Sequence, residues 1–333
     1  MRKFLFRCFF SCIPLLACVL LSGRYDPQEG GLIRMSYLPS LQQYSTQSSN
    51  TQGSFPDETL KFYNDSSSRS IAIFGDSFIR NGEGPPFWSA LTQDYNIGCF
   101  RQQDFTNSNP FILAFGAKDT LQSIFGQDPD IIIIETIERH LIKRTKYFSK
   151  DNTLQPKKII PQEKKSLDFV QKIDVGWKML CGLMKMPYAQ SQRRVHQWKA
   201  SNLPLHQQTS LLTYADDLNH RLPNYDSLSI NAKVDSVIHQ VQLKYPHSEI
   251  QLLIIPDKLT IYEQFLTNPP KKSSILKHLN WKSAYLKIRL DEALQILAKE
   301  GIFELYTYSG THFGHTGAHA CEQQIKFHLN SDN

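Results

Sequence analysis

The chain has 333 residues, 41% of them hydrophobic and 20% charged, with a formal net charge of +6 and a pI near 8.9. That composition is ordinary for a globular protein and provides core enough for one large α/β domain or two small ones. Cys8, Cys12 and Cys18 lie in the apolar N-terminal segment, so only Cys99, Cys181 and Cys321 remain for the body, which excludes a disulfide-built scaffold.

Arg2, Lys3 and Arg7 form a basic start, Cys8 to Leu21 is almost wholly apolar, and Ser22-Gly23 can end the run. Residues 1–24 therefore read as a signal peptide or an N-terminal membrane anchor. This predicts an exported, periplasmic protein of the cell envelope, held at the inner membrane by residues 8–22 if they are uncleaved. Leu15-Leu16-Ala17-Cys18 resembles a lipoprotein cleavage site, but the apolar Val19, Leu20 and Leu21 that follow argue against one. Residues 25–69, rich in Ser, Gln, Thr and Asn, read as a flexible polar linker.

The folded body starts near Ser70. Ile71–Phe74 is a short apolar run ending in Gly75-Asp76-Ser77, the pattern of a parallel strand that delivers a serine to the C-terminal edge of a sheet. A helix is predicted around 87–91 after Pro85-Pro86, a strand over 95–100 and a helix over 119–126. Four isoleucines, Ile131 to Ile134, predict a strand buried on both faces, with Glu135 and Glu138-Arg139 at its end.

From about 142 to 203 the rhythm breaks into a lysine- and arginine-rich insertion. It contains one predicted amphipathic helix (Phe169, Val170, Ile173, Trp177, Leu180). The basic excess reads as a solvated face, or as a docking surface for acidic polysaccharide, anionic lipid or a partner protein. Nucleic acid is not expected, because no base-reading motif is present and the chain is read as exported. The α/β pattern resumes with a helix over 230–244, a strand over 250–255 ending at Pro256-Asp257-Lys258, a helix over 284–299 capped by Gly301, and a short strand over 303–306. Parallel strands joined by helices predict a three-layer α/β/α sandwich around a central, mostly parallel sheet.

Ser77 is a weak nucleophile until a base takes its proton, and His312, in the loop after 306, is the candidate base. Gly-Asp-Ser early and a loop histidine late resemble the SGNH/GDSL hydrolase superfamily. The blocks Ile73–Phe78, Pro129–Arg139, Ile254–Tyr262 and the His312 loop are similar to its alginate O-acetyltransferase-like branch. The resemblance runs from about Ser70 to Ala320 and is dense only in these blocks.

It implies one SGNH hydrolase-like domain over 70–330 and a Ser77–His312 acyl-enzyme mechanism. The implied substrate is an O-acyl, most simply O-acetyl, group on an envelope polysaccharide, in a transferase or esterase reaction. A transferase would need a membrane acyl-donor system as partner. The alternative is a catalytically degenerate relative that binds glycan or scaffolds an exopolysaccharide modification or secretion complex. Where that branch carries aspartate two residues before the histidine, this chain has Gly310. The esterase position three before is Ser309, and the usual tryptophan is Phe313.

Asp257, Glu138 and Glu135 are the candidate replacement acids. Asp76, Asn81, Arg139 and Lys258, with the Gly82-Glu83-Gly84 loop, are candidates for oxyanion or substrate contacts. His312, His315, His319 and Cys321 raise a metal reading. No glutamate lies between His315 and His319, however, and both read as polar surface, so neither metal nor cofactor is expected.

Overall fold

The computed structural model describes residues 13–22, 69–80, 86–101, 109–148, 169–183, 195–201, 203, 210–219, 221, 227–302, 305–307 and 310–331. The linker at 25–68, Asn81 and the Gly82–Gly84 loop lie outside them.

Four predicted apolar runs become one parallel sheet. β1 (Ser70–Gly75) lies between β2 (Asn96–Arg101) and β3 (Ile131–Ile137), and β6 (Glu249–Ile255) forms the far edge, giving the order β2-β1-β3-β6. Alternate side chains of each strand enter two separate cores. Ile71, Ile73, Ile131 and Ile133 face one. Ala72, Phe74, Ile132 and Ile134 face the other. Each buried aliphatic side chain contributes about 1.5–3 kcal/mol, which is why the runs read as continuous rather than alternating. Asp130 ties the starts of β1 and β3 together by accepting from the Ser70 amide and hydroxyl at 2.7 and 2.8 Å.

Helices cover both faces. Residues 13–22 form α1, and Ser77–Arg80 is a single turn, α2. α3 (Pro110–Gly116) opens with Pro110 in its first turn, and the Asn109 side chain accepts from the Phe111 amide at 3.1 Å. α4 (Lys118–Phe125) ends at Gly126 with φ 74°, a conformation that favours glycine. α5 (Leu141–Lys146) follows β3, and α6 (Phe169–Leu183) is the helix predicted within the insertion. α7 (Ser227–Lys244), α8 (Lys258–Tyr262), α9 (Leu290–Lys299) and α10 (His315–Ser331) complete the set used below.

Several predicted elements change shape. The helix expected at 87–91 is a 3₁₀ turn, Ser89–Gln93. The helix expected from 284 begins only at Leu290, because Tyr285 runs beside the edge strand and its carbonyl accepts from the Leu252 amide at 2.8 Å. The expected strand at 303–306 reduces, among its described residues, to one bridge between Tyr306 and Phe313. A two-stranded antiparallel sheet, β4 (Val195–Lys199) with β5 (Ser210–Tyr214), was not foreseen.

No described helix is long and apolar enough to cross a membrane.

Candidate functional site

Strand order fixes where chemistry can sit. The chain leaves β1 for β2 on one side and then crosses to β3 on the other. The C-terminal ends of β1 and β3 therefore diverge into a crevice, the switch point where open α/β sheets bind ligands. Asp76 and Ser77 leave β1 at that crevice, where β3 ends with Glu135 to Ile137 and Glu138 and Arg139 follow.

The turn after β1 is locked from both sides. Asp76 Oδ1 accepts from the Phe78 amide at 3.1 Å, and the Asp76 amide donates to Glu135 Oε2 at 2.7 Å. Asp76 Oδ2 pairs at 3.0 Å with the buried Arg144, which also donates to Thr136 Oγ1 at 2.7 Å. Asp76 is therefore a turn-holding group rather than a donor to an oxyanion. Gly75 is required by close approach, since a Cβ there would lie 2.2 Å from Glu135 Oε2.

By sequence Arg144 belongs to the basic stretch that begins near residue 142, read as a solvated face or a docking surface. The structure instead buries it with Leu141 and Thr145 on one face of α5. The only signal was that helical spacing, among exposed lysines at 143 and 146.

His312 arrives on the returning arm of a narrow loop. The Thr307 amide donates to the His312 carbonyl at 3.0 Å, and the Gly314 amide to the Leu305 carbonyl at 3.2 Å. The Tyr306 hydroxyl donates to the Pro256 carbonyl at 2.6 Å. Lys258, buried at the start of α8, donates to the Thr307 carbonyl at 2.6 Å and the Gly310 carbonyl at 3.2 Å. Its predicted oxyanion or substrate role gives way to this: its ammonium fastens the histidine loop to the end of β6. Gly317, in the first turn of α10, lets that helix close on the loop, because a Cβ there would lie 1.9 Å from the Leu305 carbonyl oxygen.

These constraints bring together residues 235 positions apart: His312 Nε2 lies 2.9 Å from Ser77 Oγ, and both side chains are partly exposed. Hydrogen-bond reach is the geometric requirement for a base that activates a nucleophile. The Phe78 ring, next to the serine, lies 5.0 Å from the His312 ring and meets Phe313 edge-on at 5.0 Å. Phe313 is buried against Tyr306 as well. Such pairs contribute about 0.5–1.5 kcal/mol beyond area burial, and here they join the serine side of the crevice to the histidine side.

The three candidate acids are engaged elsewhere. Glu135 is fully buried in β3, two residues before the strand ends rather than beyond it. Burial and the adjacent Asp76 push its carboxyl upward, and Oε1 has no hydrogen-bond partner. Glu138 accepts from the Asp257 amide at 2.9 Å, Thr260 Oγ1 at 2.7 Å and Ser274 Oγ at 2.5 Å. Burial and then Asp257 push it up to about 7.

Asp257 pairs with Arg139, which reaches Asp217 at 3.4 Å and lies over the Tyr214 ring at 5.1 Å. Burial and Asp217 push Asp257 upward, while burial acts to lower Arg139 and is outweighed by the two aspartates. Arg139 is thus a structural cation that ties β5 to the ends of β3 and β6, not a substrate ligand. Of the other candidates, Asn81 and the Gly82–Gly84 loop fall outside the described residues. His319 is exposed while Cys321 is fully buried, so the helix holds them on opposite sides, unlike two ligands of one ion.

Comparison with protein-family models, with curated proteins and with solved structures finds no match to this chain.

Proposed function

We propose that the protein is an SGNH-type acyl-transfer enzyme of the cell envelope, acting on O-acyl groups of a polysaccharide. The observation that carries this reading is the 2.9 Å contact between Ser77 Oγ and His312 Nε2 at the sheet's switch-point crevice. The two apolar cores on either side of the parallel sheet support a three-layer sandwich of that superfamily over 70–330, with the basic stretch about 142–203 as an insertion.

In this mechanism His312 Nε2 takes the serine proton as Oγ attacks the ester carbonyl carbon. The tetrahedral oxyanion collapses, the C–O bond to the leaving alkoxide breaks, and the imidazolium returns the proton to that alkoxide. The acyl-serine then passes its acyl group to a sugar hydroxyl, as a transferase, or to water, as an esterase, with His312 again as base.

One observation favours a second reading, a glycan-binding or scaffolding protein without turnover. Gly310 stands where the resemblance expects aspartate, and its carbonyl is bound by Lys258.

The test is labelling of the exported body with a serine-directed fluorophosphonate, alongside hydrolysis of a chromogenic acetyl ester. Adduct mass at Ser77, lost in Ser77→Ala and His312→Ala, supports the enzyme. A folded protein that takes no label yet binds acidic glycan supports the scaffold.

A further inference from the structure

Two apolar helices remain outside this chemistry. α1 and α6 meet at a very close backbone approach: a Cβ on Gly176 would lie 1.8 Å from the Cys18 carbonyl oxygen. On α1 the contact side is small, with Cys18 and Ser22 one turn apart and buried. On α6, Gly176 is buried together with Val175 and Met179. Close packing through small residues is how helices associate where the hydrophobic effect cannot drive them, within lipid.

Each helix also carries a second apolar face that is uncovered. On α1 this is Ile13, Leu16 and Leu20, spaced three and four residues apart, with Leu20 66% exposed. On α6, Phe169, Val170 and Trp177 are 67%, 74% and 42% exposed. A helix in water needs one apolar face, and these have two. Cations bracket both in the sequence: Arg2, Lys3 and Arg7 before α1, Lys164 and Lys165 before α6 and Lys185 after it. The 14-residue apolar run Cys8 to Leu21 is about 21 Å long as a helix, short of the roughly 30 Å of hydrocarbon in a bilayer.

We propose that α1 and α6 form one amphipathic platform that lies in the plane of an anionic membrane surface. Phe169, Val170, Trp177 and the leucines of α1 enter the interface, and the cations that flank both helices in the sequence favour an anionic surface over a neutral one. α1 is then retained rather than cleaved, and it holds the body at the membrane with α6 instead of spanning alone. This stands independently of the acyl chemistry.

The experiment is co-flotation of the full chain with vesicles containing phosphatidylglycerol or phosphatidylcholine only, with Trp177 emission followed in parallel. Expected are binding to the anionic vesicles, a blue shift, release by alkaline carbonate, and about tenfold or more weaker binding in Phe169→Ser/Val170→Ser. Gly176→Leu, which parts the helices, should weaken binding similarly, while the thermal unfolding of the body is unchanged. Three results overturn the proposal. The first is binding that resists carbonate and ignores the α6 variants, as for a lone spanning segment. The second is no vesicle binding, with a dimer in light scattering that the α6 variants abolish. The third is a mature protein from envelope fractions that begins after residue 22.

Discussion

Replacing Lys258 by methionine, which keeps the length of the side chain and removes its charge, isolates what holds His312 in place. The ammonium donates to the Thr307 and Gly310 carbonyls at 2.6 and 3.2 Å, and the residue is 1% exposed. Methionine leaves both carbonyls without that donor. An unsatisfied buried polar group costs about 1–3 kcal/mol, so the two together give about 2–6 kcal/mol. Relief from burying an ammonium offsets part of this, which leaves about 2–4 kcal/mol. At about 2–4 °C per kcal/mol for a domain of this size, Tm should fall by about 4–16 °C.

The chemical effect should be larger than the thermal one suggests. A displacement of about 1 Å at the reacting groups costs about 10²-fold in rate. The assays are differential scanning calorimetry and the rate of fluorophosphonate labelling at Ser77, both at a temperature where the variant is fully folded. Lys258→Met with Tm and labelling rate within error of the parent would refute the assignment of Lys258 as the residue that positions the histidine loop.

Two glycines should resist even a methyl group. Gly75→Ala must push on Glu135 Oε2 and Cβ, 2.2 and 2.8 Å away, and should lose about 1–3 kcal/mol or more in urea unfolding. Gly317→Ala must move α10 off the Leu305 carbonyl by about 1.4 Å to restore an ordinary C···O contact, so it should lower both stability and Ser77 labelling. Glu138, raised by burial from 4.5 to about 7, binds a proton in the folded state that it lacks when unfolded between those pH values. Folding takes up that proton, so its contribution to stability is present below about 4.5 and is lost as pH rises through 7, at most about 3 kcal/mol. Glu138→Gln should flatten Tm against pH across that window, and an unaltered slope would show that another group causes it.

The parallel sheet was legible because burial on both faces writes continuous apolar runs: Ile71–Phe74, Ile131–Ile134 and Ile250–Ile255 each lie within an observed strand. Ser77 and His312 were legible because strand-end turns and tight loops use distinctive residues. The supporting groups were not. Arg144 reads as one more cation in a basic run, and only tertiary contact with Asp76 gives it a function. Glu135, Glu138 and Asp257 sit at the strand ends where an orienting acid was sought. Sequence gives proximity to the crevice but not the direction of a carboxylate, and these turn to the Asp76 amide, the Asp257 amide and Arg139. β4 and β5 were missed because no tight-turn signal joins them and their residues alternate little, with Val195 buried but His196, Gln197 and Lys199 exposed.

An aspartate beside a catalytic histidine does two separable things: it fixes the orientation of the imidazole, and it stabilises the imidazolium as the serine proton arrives. Lys258 and the Phe78 ring supply means for the first, by holding the loop and packing against the ring. Neither supplies the second, since one is a cation and the other is neutral. In the proposed reaction, a carboxylate on this loop would add the second to an imidazole that the loop already places beside Ser77. Restoring a carboxylate two residues before the histidine should therefore raise rate more than it changes structure. Gly310→Asp is expected to accelerate Ser77 labelling at least about tenfold, out of the roughly 10⁴ that an orienting acid can supply. The gain should be present at neutral pH, fade as the new carboxylate protonates near pH 4 and disappear in Gly310→Asn. A folded Gly310→Asp protein whose labelling is no faster than the parent's would count against Ser77 and His312 as a catalytic pair that a nearby carboxylate assists. The 2.9 Å contact would then belong to binding rather than to catalysis.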